Sequence, residues 1–195
     1  MQLYLRKYSK HVHTLRLRGN KRDKITMRGL TPSLQLQNLQ LEGLLLGLQP
    51  IASPSASFRG VLGDAALTAT LTQLQLSSCE LLDGSRGLAA ALSQLPSLQH
   101  LSVSSLCVPG GETVIGNFMK FQTVVFERLQ RLTFLELAGG MGLLSPDEAS
   151  PALQPLQALT KLVELRLGWM QTPDRQLTAE MFSGMEHLSW LEVSR

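Results

Sequence analysis

Seven times along this 195-residue chain, apolar residues recur on one uneven spacing, three residues and then two. The stretch LTQLQLSSC (71–79) shows the unit: Leu71, Leu74, Leu76, and Cys79 closing it. A strand repeats every two residues and a helix favours three and four, so a single copy fits neither. The other copies are VHTLRLRGN around Leu15, LQNLQLEGL around Leu39, LQHLSVSSL around Leu101, LTFLELAGG around Leu135, LVELRLGWM around Leu165 and LSWLEVSR around Leu191. In chain order these seven anchors, Leu74 being the third, lie 24, 35, 27, 34, 30 and 26 residues apart. A unit of that size cannot bury its own apolar side, and stacking on its neighbours does so.

In each copy the last two apolar residues alternate with polar ones and read as a short strand facing inward. The first turns in just before the strand. The segments between copies carry other signals. RGLAAALSQL reads as a short helix, and ETVIGNFMKFQTVVFERLQRL has helical apolar spacing at Val114, Phe118, Phe121, Val125 and Leu129. SPDEASPALQPLQALTKL opens with Ser145 as N-cap, Pro146 in the first helical position and Glu148 completing the capping box. PIASPSASFRG (50–60) and the glycine-rich AGGMGLLSP read as loops.

The repeated core follows the pattern LxxLxLxx(N/C)xL, and on these copies the chain resembles the leucine-rich repeat family over nearly its whole length. Asn20 and Cys79 match the Asn/Cys position, whereas Leu44, Leu106, Gly140 and Met170 depart from it, so the side-chain ladder made there is expected to be incomplete. The resemblance implies an α/β solenoid, an arc of about seven repeats with parallel strands on the concave side and helices on the convex side. It spans 1–195 as one domain. Residues 1–11, where Leu3, Leu5 and Tyr8 interleave with basic residues, are expected to form an N-terminal cap helix. No C-terminal cap is visible after the last strand. The leading expectation is a piece of a longer repeat protein, with end-to-end self-association and a tolerated exposed edge as alternatives.

Composition agrees with an aliphatic core, since hydrophobic residues make up 44% and aromatics only 5%. Cys79 and Cys107 are too few for a disulfide framework and lie in no metal-binding spacing, which predicts two reduced, buried thiols and no zinc site. No aliphatic run is long enough to span a bilayer, and no signal-peptide core follows the basic start. The expected location is cytoplasmic, with cytoskeleton or axoneme as the alternative.

Catalysis finds no support. His11, His13, His100 and His187 have no partner at triad or metal spacing, and VPGGETVIGN lacks the pattern of a phosphate loop. The chain is expected to be a non-enzyme without catalytic, metal or cofactor residues. In the leucine-rich repeat family the outward strand residues line a concave surface, and the resemblance implies that this surface binds another protein. Intracellular members include the recognition part of F-box ubiquitin-ligase subunits and adaptors of the cytoskeleton and axoneme, and LYLRKYSKHVHTLRL looks like the repeat that follows an F-box. The F-box motif itself does not occur in these residues.

Along the strands the outward residues start basic, become small and neutral, and end acidic with two aromatics. Phe134, Glu164 and Trp190 occupy equivalent positions, and with Glu136, Arg166 and Glu192 they form the candidate partner-binding patch. Trp190 has a second reading as a cover for neighbouring core. A separate candidate is charge: residues 1–28 hold nine of the eighteen Lys and Arg against one acidic residue, a balance of +8 that the rest of the chain reduces to +3. Arg6, Lys7, Lys10, Arg16, Arg18, Lys21, Arg22, Lys24 and Arg28 make up this patch. Its field suits a polyanion or nucleic acid, the alternative function, although it lacks a nucleic-acid motif and has only Tyr4 and Tyr8 for stacking.

Overall fold

The computed structural model describes residues 11–20, 35–47, 69–108, 125–139, 154–168 and 182–194. Their strands, in chain order, are β1 (Thr14–Arg18), β2 (Asn38–Glu42), β3 (Leu45–Leu46), β4 (Gln73–Ser77), β5 (Glu80–Leu81), β6 (His100–Ser104), β7 (Phe134–Ala138), β8 (Glu164–Gly168) and β9 (Trp190–Ser194). The seven five-residue strands are the seven copies found in the sequence. They form one sheet in the order β1-β2-β4-β6-β7-β8-β9, every pairing is parallel, and β3 pairs with β5 in a second, two-stranded sheet. The fold is therefore α/β with a seven-stranded parallel sheet and few helices.

The register explains the leucine spacing. Leu15, Leu39, Leu74, Leu101, Leu135, Leu165 and Leu191 stand opposite one another across the sheet, and so do the apolar residues two further on. All of them from β1 to β8 are buried, at 9% exposure or less. Fully burying such a side chain stabilises by roughly 1.5–3 kcal/mol. The first apolar residue of each unit joins the same side, with Leu36, Leu71, Leu98, Leu132 and Leu162 all fully buried.

The backbone repeats as regularly. The carbonyls of His13, Gln37, Thr72, Gln99, Thr133 and Val163 each accept two N–H groups from the start of the next strand, at 2.8–3.1 Å. Thr72, Thr133 and Ser189 add their hydroxyls to the same carbonyl rows. After the strand the chain turns through a left-handed residue: Gly43 (φ 65°), Ser78 (φ 53°), Ser105 (φ 52°) and Gly139 (φ 78°). That position suits glycine because a Cβ meets the following carbonyl there. At Gly139 a Cβ would also lie 2.8 Å from the Ser105 backbone nitrogen, so the layers approach too closely for any side chain.

Behind the turn, Leu44, Cys79 and Leu106 are all buried. The Cys79 thiol donates to the carbonyls of Leu41 and Ser77, at 3.4 and 3.3 Å. Leu44 and Leu106 fill the equivalent space without that bond, and Gly140 and Met170 lie outside the described residues. Asn20, which matches the same position in the first copy, is exposed. Cys107 is not buried as the sequence predicts: neither cysteine is in a disulfide, and Cys79 is buried, but Cys107 is only half-buried.

The other layer is made of short pieces. Helix α1 (Gly84–Leu92) lies where the sequence places a short helix, and its Leu88, Ala89, Ala91 and Leu92 join the leucine core. Gln154–Ala158, within the segment SPDEASPALQPLQALTKL whose capping signal predicts a helix, is a 3-10 helix. Before the later strands, apolar residues recur every third position in single turns: Leu92, Leu95 and Leu98; Phe126, Leu129 and Leu132; Leu156, Leu159 and Leu162. Three-residue spacing stacks side chains on one edge of such turns, which feeds one contiguous core from Leu15 to Met185. The N-terminal cap helix, the Ser145 capping box and the two loops lie outside the described residues, apart from residue 11 and the first two residues of the glycine-rich loop. Among the described residues no helix is long and apolar enough to cross a membrane.

Candidate functional site

Alternation sends the first, third and fifth residues of each five-residue strand, such as Gln73, Gln75 and Ser77 on β4, to the face opposite the core. Three continuous rows result. The first runs Thr14, Asn38, Gln73, His100, Phe134, Glu164, Trp190, in the order the sequence places them. Phe134, Glu164 and Trp190 are thus on consecutive strands, as expected from their spacing.

Contacts change how that trio reads. Phe134 is flanked on both sides: its ring stacks on His100 with centroids 5.8 Å apart and planes 21° off parallel, and the Arg166 guanidinium lies 5.4 Å from its centroid. Glu164 turns towards Arg166, whose Nε donates to Oε1 at 2.7 Å, and Glu192 approaches the same Nε at 3.5 Å. The hydrogen bond from Arg166 to Glu164 raises the guanidinium above its usual pKa, so the cation is permanent. Glu136 accepts the Ser102 hydroxyl at 2.7 Å. Phe134, Glu164, Arg166 and Glu192, joined by His100, therefore form a tethered cluster, with the Ser102–Glu136 pair beside it.

Trp190 stands apart from it. It is 57% exposed, and Leu191 and Val193 on the opposite side of β9 remain 42% and 41% exposed, so it covers no core. Gly168, expected in the outward rows, is buried: a Cβ there would fall 2.9 Å from the Ala138 Cβ. The third row closes up at that strand.

The centre of the face holds a groove of about 220 Å³ over β2, β4, β6 and β7. Asn38 and Gln40 line one wall, Gln73 and Gln75 the floor, His100 and Ser102 the next strand, and Phe134 and Glu136 the far wall. Asn38 donates to Gln73 at 2.7 Å and Gln40 accepts from Arg16, which leaves the Asn38 oxygen and the Gln73 and Gln40 nitrogens with hydrogen-bonding capacity to offer. Sequence reasoning passed over this groove, because its amides are separate, unremarkable residues until the register assembles them. His100 read as an isolated polar histidine. Its partner Phe134 is 34 positions away in sequence but adjacent in the row.

Of the nine basic-patch residues only Arg16 and Arg18 lie among the described ones; Arg6, Lys7, Lys10, Lys21, Arg22, Lys24 and Arg28 do not. Arg18 pairs with Glu42 at 3.2 Å, with both side chains well exposed, a contact worth about 0–1 kcal/mol. Arg16 donates to the uncharged Gln40. Among the described residues no group of His, Cys, Asp and Glu could hold a metal ion. Burial pushes the Cys79 thiol above its usual pKa, the opposite of what activates a nucleophile. No protein-family model and no curated protein matches this sequence.

Proposed function

We propose that the chain is a leucine-rich repeat solenoid acting as a non-catalytic protein-interaction module, with the outward strand face as its concave binding surface. The same register, carbonyl pattern and left-handed turn in unit after unit support the solenoid reading. The observation that carries the functional reading is the continuous polar face itself. It presents an amide-lined groove beside an aromatic and charged cluster, and its side chains brace one another across strands instead of converging on a reacting centre. Half-buried Phe134 beside Arg166, with exposed Trp190 two strands on, has the aromatic-and-arginine composition of an interface hot spot. A place as the recognition part of a ligase subunit or as a cytoskeletal adaptor, in the cytoplasm, fits this reading.

The test is affinity capture from cell extract with wild-type protein and a Phe134→Ala, Trp190→Ala variant of matched circular dichroism. A partner retained by wild type and lost by the variant is the expected result. Equal recovery by both proteins, abolished by moderate salt, would move the function to the basic N-terminal segment.

A further inference from the structure

The charges on the outward face are sorted by strand. On β1 and β2 the outward positions carry Arg16, Arg18 and Glu42, a balance of +1; on β4 and β6 they carry no Lys, Arg, Asp or Glu. On β7, β8 and β9 they carry Glu136, Glu164, Glu192 and Arg166, a balance of −2. Neither end is silenced by its own contacts. Among the described residues Arg16 has no carboxylate partner, and the single cation Arg166 is shared between Glu164 and Glu192. The neutral stretch between the two ends is the amide groove.

We propose that the partner segment lies across the strands as an extended peptide, with an acidic end over β1 and β2 and a basic end over β7 to β9. This rests on the protein-binding reading of the face and adds the chemistry and placement of what binds there. Seven strands make six spacings of about 4.8 Å, or roughly 29 Å, and an extended chain covers that in about nine residues. The Gln and Asn side chains of the groove donate and accept, so they pair with the N–H and C=O groups of any sequence in the middle of the segment. Discrimination therefore falls to the ends. At the basic end a Lys or Arg of the partner over β9 reaches the Glu192 carboxylate and the open ring of Trp190, where cation–π attraction adds to charge, and a second over β7 reaches Glu136. A nucleic acid would have to lay phosphates along the −2 half of the same face, which repels them.

The experiment selects random twelve-residue peptides by display on the immobilised full chain, then measures the enriched sequences as synthetic peptides. Enriched peptides are expected to carry Asp or Glu towards one end and Lys or Arg towards the other, about six to eight residues apart. Arg16→Glu with Arg18→Glu, and separately Glu136→Gln with Glu192→Gln, should each weaken binding at least about fivefold in low salt with circular dichroism unchanged. In a Trp169→Phe background, a quencher on the basic end should dim Trp190, and the same quencher on the acidic end should not. Peptides that bind the face without charge separation, or that quench Trp190 from the acidic end, overturn this inference alone. If no peptide is enriched, or if Gln75→Arg in the groove leaves every enriched peptide bound as before, the binding role of the face falls as well.

Discussion

The two edges of the main sheet, β1 and β9, have the same local pattern and different surroundings. Both place an aliphatic residue at the second and fourth of five positions, and both pair with one neighbour. The inward pair of β1, Leu15 and Leu17, is 9% and 7% exposed, whereas the inward pair of β9, Leu191 and Val193, is 42% and 41% exposed. Alternation thus determines which side chains point to the core side, and only a further packed layer removes them from water. Stability should follow the layer and not the pattern.

The largest effect expected is in the interior of the stack. Leu101→Ala should cost about 2–5 kcal/mol in urea unfolding, because Leu101 is fully buried between layers. Leu15→Ala should cost somewhat less, and Leu191→Ala less than about 1 kcal/mol. A Leu191→Ala cost equal to that of Leu101→Ala would break the comparison, since it would mean that β9 is covered in solution.

The turns come next. Gly139→Ala forces a Cβ into a left-handed conformation and onto the Ser105 backbone, so it should cost at least about 1–2 kcal/mol. Ser78→Gly, at an equivalent turn where the strain already exists, should raise the unfolding midpoint by up to about 1 kcal/mol in stability. If both substitutions lowered stability equally, the left-handed turn would not be what sets the preference for glycine.

The thiols compare two depths of the same layer. Cys107 should react with a soluble thiol reagent first, and Cys79 only on a timescale set by unfolding. Because burial raises the folded-state pKa of Cys79, the unfolded chain loses that proton first as pH rises. Stability should be unaffected well below the ordinary thiol range and should decline above it, a slope that Cys79→Ala removes. The smallest effect is beside the β1 edge, where Glu42→Gln on β2 should change stability by less than about 0.5 kcal/mol despite the ion pair with Arg18 of β1.

Much of the architecture was legible in particular residues. The three-then-two spacing located all seven strands of the main sheet, and Gly84–Leu92 formed a helix where RGLAAALSQL indicated one. The 3-10 conformation of Gln154–Ala158 was not legible, because short apolar runs of period three and of period 3.6 look alike. In the candidate site, the order of Phe134, Glu164 and Trp190 could be read from spacing. The stacking of His100 on Phe134, the claim of Glu164 on Arg166 and the amide groove could not.

What the sequence by itself determined is the alternation of inward and outward residues along the seven strands of the main sheet and the polarity of the outward face, because side chains alternate along an extended backbone. What only the tertiary structure decided is which outward residues meet and how deeply each layer is buried. Those depend on register between strands some 24 to 35 residues apart and on close approach at Gly139 and Gly168, and no local pattern encodes either.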